Sequence, residues 1–257
     1  MKSFLSYRGG KSRLAEKVVS FIPSHECYCE VFAGAAWVLF KKDPSKAEII
    51  NDINSELTTL YRVVQNHLEE FVRYFKWALV SRDEFDRVMR ESPETLTDIQ
   101  RAARFFYIIK TSFGSKIHMN HFGVAPSGPP RLNLLRIEED LSAAHMRLAR
   151  VYIENLHYDK LIKRHDRPTT LFYVDPPYYG CENDYGQGIF SREDFALLKD
   201  TLAGIKGKFI MSINDVKDIR QLFKGFHIKP VTTTYTTPKT GSSGAKELLI
   251  TNFKPRG

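Results

Sequence analysis

Strand and helix patterns alternate at both ends of this chain, and the long stretch between them carries no strand signal. Near the N-terminus, "KSRLAEKVVSFIP" reads as a helix closed by Pro23, while "CYCEVFAG" and "AEIINDI" read as strands. After residue 150 come "ARVYIENL", "TLFYVD", a helix opening at Ser191 with Asp194 three residues on, "KFIMSIN", and a short helix near Asp215 to Phe223. Parallel strands need a crossover between them, so such alternation folds as a largely parallel sheet with helices on both faces. "HIKPVTTTYTT" and "ELLITNF" have no helix between them and are expected to pair as an antiparallel hairpin across "PKTGSSGAK".

The middle of the chain reads as helix and loop. From Asn54 to Val80 the apolar positions Leu57, Leu60, Tyr61, Val64, Leu68, Phe71, Val72 and Phe75 keep a three-four spacing, which predicts one long amphipathic helix. Ser81 with Glu84, and Thr97 with Gln100, resemble capping boxes that open two more helices. Phe113 to Asn133 has neither period and reads as a long loop, and Ile137 to Arg150 returns to helix. The expected fold class is therefore α/β, a doubly wound sheet with an inserted helical domain. Residues 1–54 and 151–257 form the sheet domain and 55–150 the insertion.

Composition narrows the function. With 42% hydrophobic and 12% aromatic residues among 257, the chain has ample material for a packed core. No apolar run approaches the roughly 18 residues that cross a bilayer, and the apolar start is too short for a signal peptide. The reading is a cytoplasmic protein with no membrane partner. Cys27, Cys29 and Cys181 lack the further Cys/His pair that a zinc site needs, so they read as reduced thiols and no metal is expected. Charge is more telling in its distribution than in its formal total of +8. Asn54 to Leu96 carries eight acids against six bases, whereas Arg101 to Arg136 holds six Lys/Arg, two histidines and no acid. Phosphate is the usual partner of such an uncompensated block.

Three strand ends carry candidate chemistry. In "EVFAGAA", Phe32, Ala33 and Gly34 form a turn that either lets a ligand approach the backbone or simply joins strand to helix. Asp52 ends the next strand, where it can accept from ribose hydroxyls or cap a helix, a role that Asn54 fits equally well. Asp175-Pro176-Pro177-Tyr178 is the most specific. An aromatic amine has its lone pair delocalised into the ring, so it attacks an electrophile only when its two N–H bonds are accepted and the nitrogen is held in orientation. The Asp175 carboxylate could accept one N–H. The Pro176 carbonyl, which a Pro-Pro turn leaves outside any ladder, could accept the other, and Tyr178 could stack on the ring. The alternative is a turn with an exposed acid.

"DPPY" after a hydrophobic strand resembles the catalytic motif of AdoMet-dependent DNA adenine methyltransferases acting on the exocyclic amino nitrogen, the Dam-like group. "SYRGGK" is similar to that group's W/Y-x-G-G-K motif, "EVFAGAA" to F-x-G-x-G/A, and "INDINSEL" to D-I-N-x-x-L. "FIMSIND" resembles the S-N-x-D segment and "KELLITNF" the terminal hairpin strand. The resemblance spans nearly the whole chain in the family's motif order. It implies a Rossmann-like methyltransferase sheet and S-adenosyl-L-methionine as cofactor, bound by Tyr7, Lys11, Phe32, Ala33, Gly34, Asp52, His157, Tyr158 and Asp175. It also implies double-stranded DNA as partner, engaged by a monomer or weak dimer, with the target adenine flipped into the Asp175/Tyr178 pocket. The insertion becomes the recognition domain, with Arg101, Lys110, Lys116, His118, Asn120 and Arg131 as DNA contacts. Phe105, Phe106 and Tyr107 lie at helical spacing and read as core rather than base-stacking. Alanine stands where a second glycine is common in "FAGAA". The stretch "GSKIHMNHFGVAPSGPPRLN" lacks the pattern shared by GATC-specific members, so that recognition sequence is not implied. Two other readings stay open: a DNA-binding protein without catalysis, and an amino-methyltransferase with another substrate. Serine at the Asp175 position goes with cytosine and asparagine with protein glutamine.

Overall fold

The computed structural model describes residues 1–5, 11–12, 14–113, 121–124, 128–182, 186, 188–236 and 242–255. The chain opens with α1 (Ala15–Ser20), β1 (Cys27–Glu30), α2 (Trp37–Lys41) and β2 (Ala47–Asn51). Helices α3 (Ser55–Asn66), α4 (Leu68–Tyr74), α5 (Arg82–Arg90), α6 (Asp98–Thr111) and α7 (Ile137–Leu148) follow. Then come β3 (Val151–Glu154), α8 (Tyr158–His165), β4 (Thr170–Val174), α9 (Asp194–Ala203), β5 (Lys208–Asn214), α10 (Lys217–Leu222), β6 (His227–Thr236) and β7 (Ser242–Thr251).

The seven strands make one sheet in the order β3-β2-β1-β4-β5-β7-β6. β3, β2, β1, β4 and β5 are parallel neighbours, as the alternation predicts. β7 enters antiparallel between β5 and β6, and the expected hairpin forms, with His227 opposite Thr251 and Thr236 opposite Ser242. β4 is buried along its whole length, as its unbroken apolar run requires in a sheet covered on both faces. One face packs under α8, α9 and α10 through Leu161, Phe195, Leu198 and Ile219. The other carries Leu57, Leu60, Leu141 and Leu148 of the helical stretch in one continuous core with Leu171 and Tyr173 of β4. The expected insertion therefore shares its core with the sheet, because α3 and α7 cover the sheet face.

The single long helix expected over Asn54 to Val80 is two helices. The backbone breaks at His67 (φ −135°, ψ 41°), and helix ends again after Tyr74. The apolar stripe continues across the break because the turn keeps Phe71 and Phe75 edge-on against Phe106, with ring centroids 5.6 and 5.4 Å away. That contact is worth about 0.5–1.5 kcal/mol per pair beyond burial. Thr97 and Gln100 form the complete capping box of α6. At α5 only half of it is present: Ser81 accepts from the Glu84 N–H, while the Glu84 carboxylate turns to Arg87. Phe105, Phe106 and Tyr107 are buried core, as their spacing suggests. Cys27 and Cys29 are free, and burial pushes both thiols up. Among the described residues no group of three or more His, Cys, Asp or Glu could hold a metal ion, and no helix is long and apolar enough to cross a membrane.

Candidate active site

From β1 the chain winds outward through β2 and β3, and from β4 it winds the other way. The strand order therefore reverses between β1 and β4. At such a point the connecting loops diverge and leave a crevice at the carboxyl ends of the strands. A cleft of about 890 Å³, open mouth included, lies there, and its lining includes Lys11, Phe32, Ala33, Gly34, Asp52, His157, Tyr158, Asp175 and Pro177. Sheet topology thus gathers three motifs that are far apart in sequence.

The turn after β1 is built for close approach. Gly34 has φ +48°, and Ala36, at the start of α2, has φ +50°. Ala36 is the alanine that stands at the second-glycine position, and it adopts the left-handed backbone that glycine enters freely. That costs an L-residue roughly 1–2 kcal/mol. Asp52 braces the turn: Oδ2 accepts from the Gly34 N–H (3.0 Å) and Oδ1 from the Asn54 N–H (2.9 Å). Burial raises the Asp52 pKa, and these N–H groups oppose the rise. The cap of α3 is Asn54, whose side chain accepts from the Glu56 N–H (3.0 Å), so Asp52 is not that helix's cap. Asn51 was not legible as a site residue. Its amide donates to the carbonyls of Val31 and Leu156 and accepts from the Leu156 N–H, which joins the β1 end to the segment before α8. Its only sequence signal is a polar residue closing an apolar strand. Glu30, also missed, sits buried in the lining, accepts from the Tyr28 hydroxyl and the Leu39 N–H, and is pushed up to about 8 by burial.

Phe32, Tyr158 and Phe190 form an aromatic cluster in the cleft, with Phe32–Tyr158 centroids 5.7 Å apart and Phe32–Phe190 6.0 Å. Tyr158 donates its hydroxyl to Asp194 Oδ1 (3.1 Å), and His157 pairs through Nδ1 with Asp159 (2.6 Å).

At the end of β4, Asp175 Oδ1 accepts from the Ser212 hydroxyl of β5 (2.8 Å), which in turn meets the Tyr173 hydroxyl (2.8 Å). Lys11 Nζ approaches the same oxygen at 3.2 Å. Burial pushes the Asp175 carboxyl up to about 6, against the downward pull of Lys11 and Ser212. The side chain keeps 17% of its exposure, so the alternative of a freely exposed turn acid does not hold. Pro176 and Pro177 are buried, and among the described residues no backbone N–H donates to the Pro176 carbonyl. Lys11 Nζ donates to the Tyr178 hydroxyl (2.6 Å) and lies 4.1 Å from its ring centroid. Tyr179 is a structural anchor. Asn214 accepts from its N–H and donates to its carbonyl, and its ring packs on Phe195 at 5.3 Å.

The expected DNA contacts divide. Arg101 is ion-paired with Glu56 beside the start of α3. Arg104 donates to the Val88 and Met89 carbonyls at the end of α5. Lys110 lies 5.2 Å from the Phe106 ring centroid, and burial lowers its pKa. The acid-free block is thus partly neutralised by acids and carbonyls from other elements. Arg131 is exposed, while Lys116, His118 and Asn120, like Tyr7, lie outside the described residues.

M.CviBI, a type II methyltransferase of Paramecium bursaria Chlorella virus NC1A, is 25% identical over 231 residues, covering 88% of each chain. M1.LlaDCHI, a type II methyltransferase of Lactococcus lactis subsp. cremoris, is 27% identical over 281 residues, covering 98% of this chain and 96% of the relative. A DNA adenine methylase of Escherichia coli is 25% identical over 275 residues, covering 99% and 96%. The family model of the D12 class matches residues 7–237, most of the sequence: the chain belongs to the D12 class N6 adenine-specific DNA methyltransferases.

Proposed function

We propose that Asp175, Pro176, Pro177 and Tyr178 form the clamp that presents a flipped adenine of double-stranded DNA for the reaction of this family, methyl transfer from S-adenosyl-L-methionine to the adenine N6. The observation that carries the reading is the placement of a fixed carboxylate, Asp175, at the strand-order reversal beside the Gly34 turn. The cleft suits the cofactor. It offers a carboxylate at Asp52 for ribose hydroxyls, the aromatic faces of Phe32 and Tyr158 for an adenine ring, and a close backbone approach at Gly34. Tyr7 and Lys11 on the N-terminal segment, with Ala33, His157 and Asp175, complete the proposed set. When bound, S-adenosyl-L-methionine supplies an electrophilic sulfonium methyl and departs as S-adenosylhomocysteine.

The chain's own residues then act on the amine. Asp175 accepts one amino N–H and the Pro176 carbonyl the other, which turns the nitrogen lone pair out of conjugation and toward the methyl, and the methylated nitrogen then loses one of these protons to solvent. Pro177 stiffens the turn, and Tyr178 holds the base by stacking, worth about 1–3 kcal/mol. Rate enhancement comes from orientation and fixed dipoles, with no covalent enzyme intermediate. In this reading residues 55–150 contain the recognition elements, with Arg131 and the loop residues Lys116, His118 and Asn120 meeting DNA. Arg101 and Lys110 would have to exchange internal partners to join them. The enzyme would act in the cytoplasm as a monomer or weak dimer on its DNA.

Replacing Asp175 by alanine tests the clamp. Transfer of labelled methyl to DNA is expected to fall by at least about 10²–10³-fold, the cost of losing one preorganised electrostatic partner. S-adenosyl-L-methionine binding by calorimetry should persist. Undiminished turnover would overturn the assignment.

A further inference from the structure

We propose that Glu247 on β7 is a positioning residue of the methyl-transfer site, holding Tyr178 in its stacking orientation and drawing Lys11 away from Asp175. The inference rests on the clamp reading above. Glu247 lies opposite Asn214 in the β5–β7 ladder and is 1% exposed. A carboxylate buried this deeply is costly unless its oxygens are engaged. Oε1 accepts from the Tyr178 hydroxyl at 2.6 Å, and Oε2 is 3.4 Å from Lys11 Nζ. The Lys11 ammonium therefore sits between two carboxylates, 3.2 Å from Asp175 Oδ1 and 3.4 Å from Glu247 Oε2.

Two consequences follow from the charges and the geometry. The phenol bond fixes the far end of the Tyr178 ring, so the stacking face is set before a base arrives. The second carboxylate shares the ammonium, which would otherwise pair fully with Asp175 and compete with the substrate amine for that acceptor. Remove the charge of Glu247, and Lys11 shifts its attraction to Asp175 while the ring keeps at most a neutral partner. The groups that face Asp175 are Lys11 on the N-terminal segment, Glu30 on β1, Tyr173 on β4, Ser212 on β5 and Glu247 on β7. Glu247 raises its affinity for a proton, and Lys11 and Ser212 lower it, while Asp175 in turn raises that of Glu30.

The test compares wild type, Glu247→Gln, Tyr178→Phe and Asp175→Ala on duplex DNA with labelled S-adenosyl-L-methionine. Glu247→Gln keeps the side-chain volume and one acceptor oxygen. Its kcat is expected to fall about tenfold to a hundredfold, the range of a lost charged hydrogen bond. The acidic limb of its kcat–pH profile should move to lower pH, since Asp175 loses a like-charged neighbour. A purely structural role for Glu247 would leave that limb in place. Tyr178→Phe keeps the ring but cuts the same hydrogen bond from its other end, and kcat should again fall. It decides the matter alone should Glu247→Gln fail to fold. The proposal is overturned if either folded variant keeps wild-type kcat, or if Glu247→Gln loses kcat with its acidic limb unmoved. Activity surviving in Asp175→Ala instead marks failure of the clamp reading itself.

Discussion

A proton on Asp175 converts an acceptor into a donor, and an amino N–H can no longer be received there. Because burial raises this carboxyl to about 6, the acceptor form is complete above that pH and is lost as pH falls through it. The kcat–pH profile at saturating DNA is expected to turn down near pH 6 and then drop about tenfold per pH unit, as for one essential deprotonated group. A flat profile down to pH 4.5 would contradict the assignment. Ala36 offers a second test at this scale. It combines φ +50° with complete burial, so a β-branched side chain is opposed by both backbone and packing. Ala36→Val should destabilise the fold by about 2–4 kcal/mol in urea unfolding. The proposed clamp could be read from the sequence because "DPPY" is contiguous and its chemistry local. Ser212 and Asn214 could be read as neighbours of the pocket from "SIND", although their partners Asp175 and Tyr179 could not. Glu247 was opaque. Its partner Lys11 is 236 residues away, and the β5–β7 register that sets Glu247 beside Asn214 cannot be read from the sequence.

At the scale of elements, α7 is fastened to the sheet by charge as well as by leucines. Arg147 of α7 reaches Glu48 on β2 and the Leu39 carbonyl of α2, while Lys42 pairs with the same carboxylate. All three side chains are at least nearly buried, and removing one cation leaves a poorly compensated carboxylate under the sheet. Arg147→Ala is expected to cost about 3–5 kcal/mol by denaturant unfolding, against under 1 kcal/mol for the exposed pair Arg62–Asp98. Sequence periodicity gave element types well and boundaries less well. The apolar stripe from Leu57 to Phe75 is continuous, but a stripe records which residues face the core, and the chain can bend beneath it, as it does at His67. Charge blocks mislead for a related reason. The compensating acid for Arg101 is Glu56, which lies 45 residues earlier and comes close only when α6 packs on α3.

Across the whole molecule, sheet topology makes the site. Doubly wound order follows from the strand–helix alternation and was legible; what it implies is that the β1 and β4 ends must adjoin. This chain methylates adenine in DNA, with S-adenosyl-L-methionine as methyl donor, and its cleft should couple cofactor binding to stability. At about 100 times the dissociation constant, the cofactor should stabilise the protein by about 2.7 kcal/mol and raise Tm by several degrees, an effect that Asp52→Ala should diminish. DNA recognition was the least legible property, because base contacts depend on where loop side chains fall against a groove rather than on residue type. The most direct measurement is nucleoside analysis by mass spectrometry of duplex DNA from a methylation-free host, incubated with wild type or Asp175→Ala and labelled S-adenosyl-L-methionine. Wild type should give labelled N6-methyladenine, and a folded, cofactor-binding Asp175→Ala none above background. Label on cytosine, or equal labelling of adenine by both proteins, would contradict this.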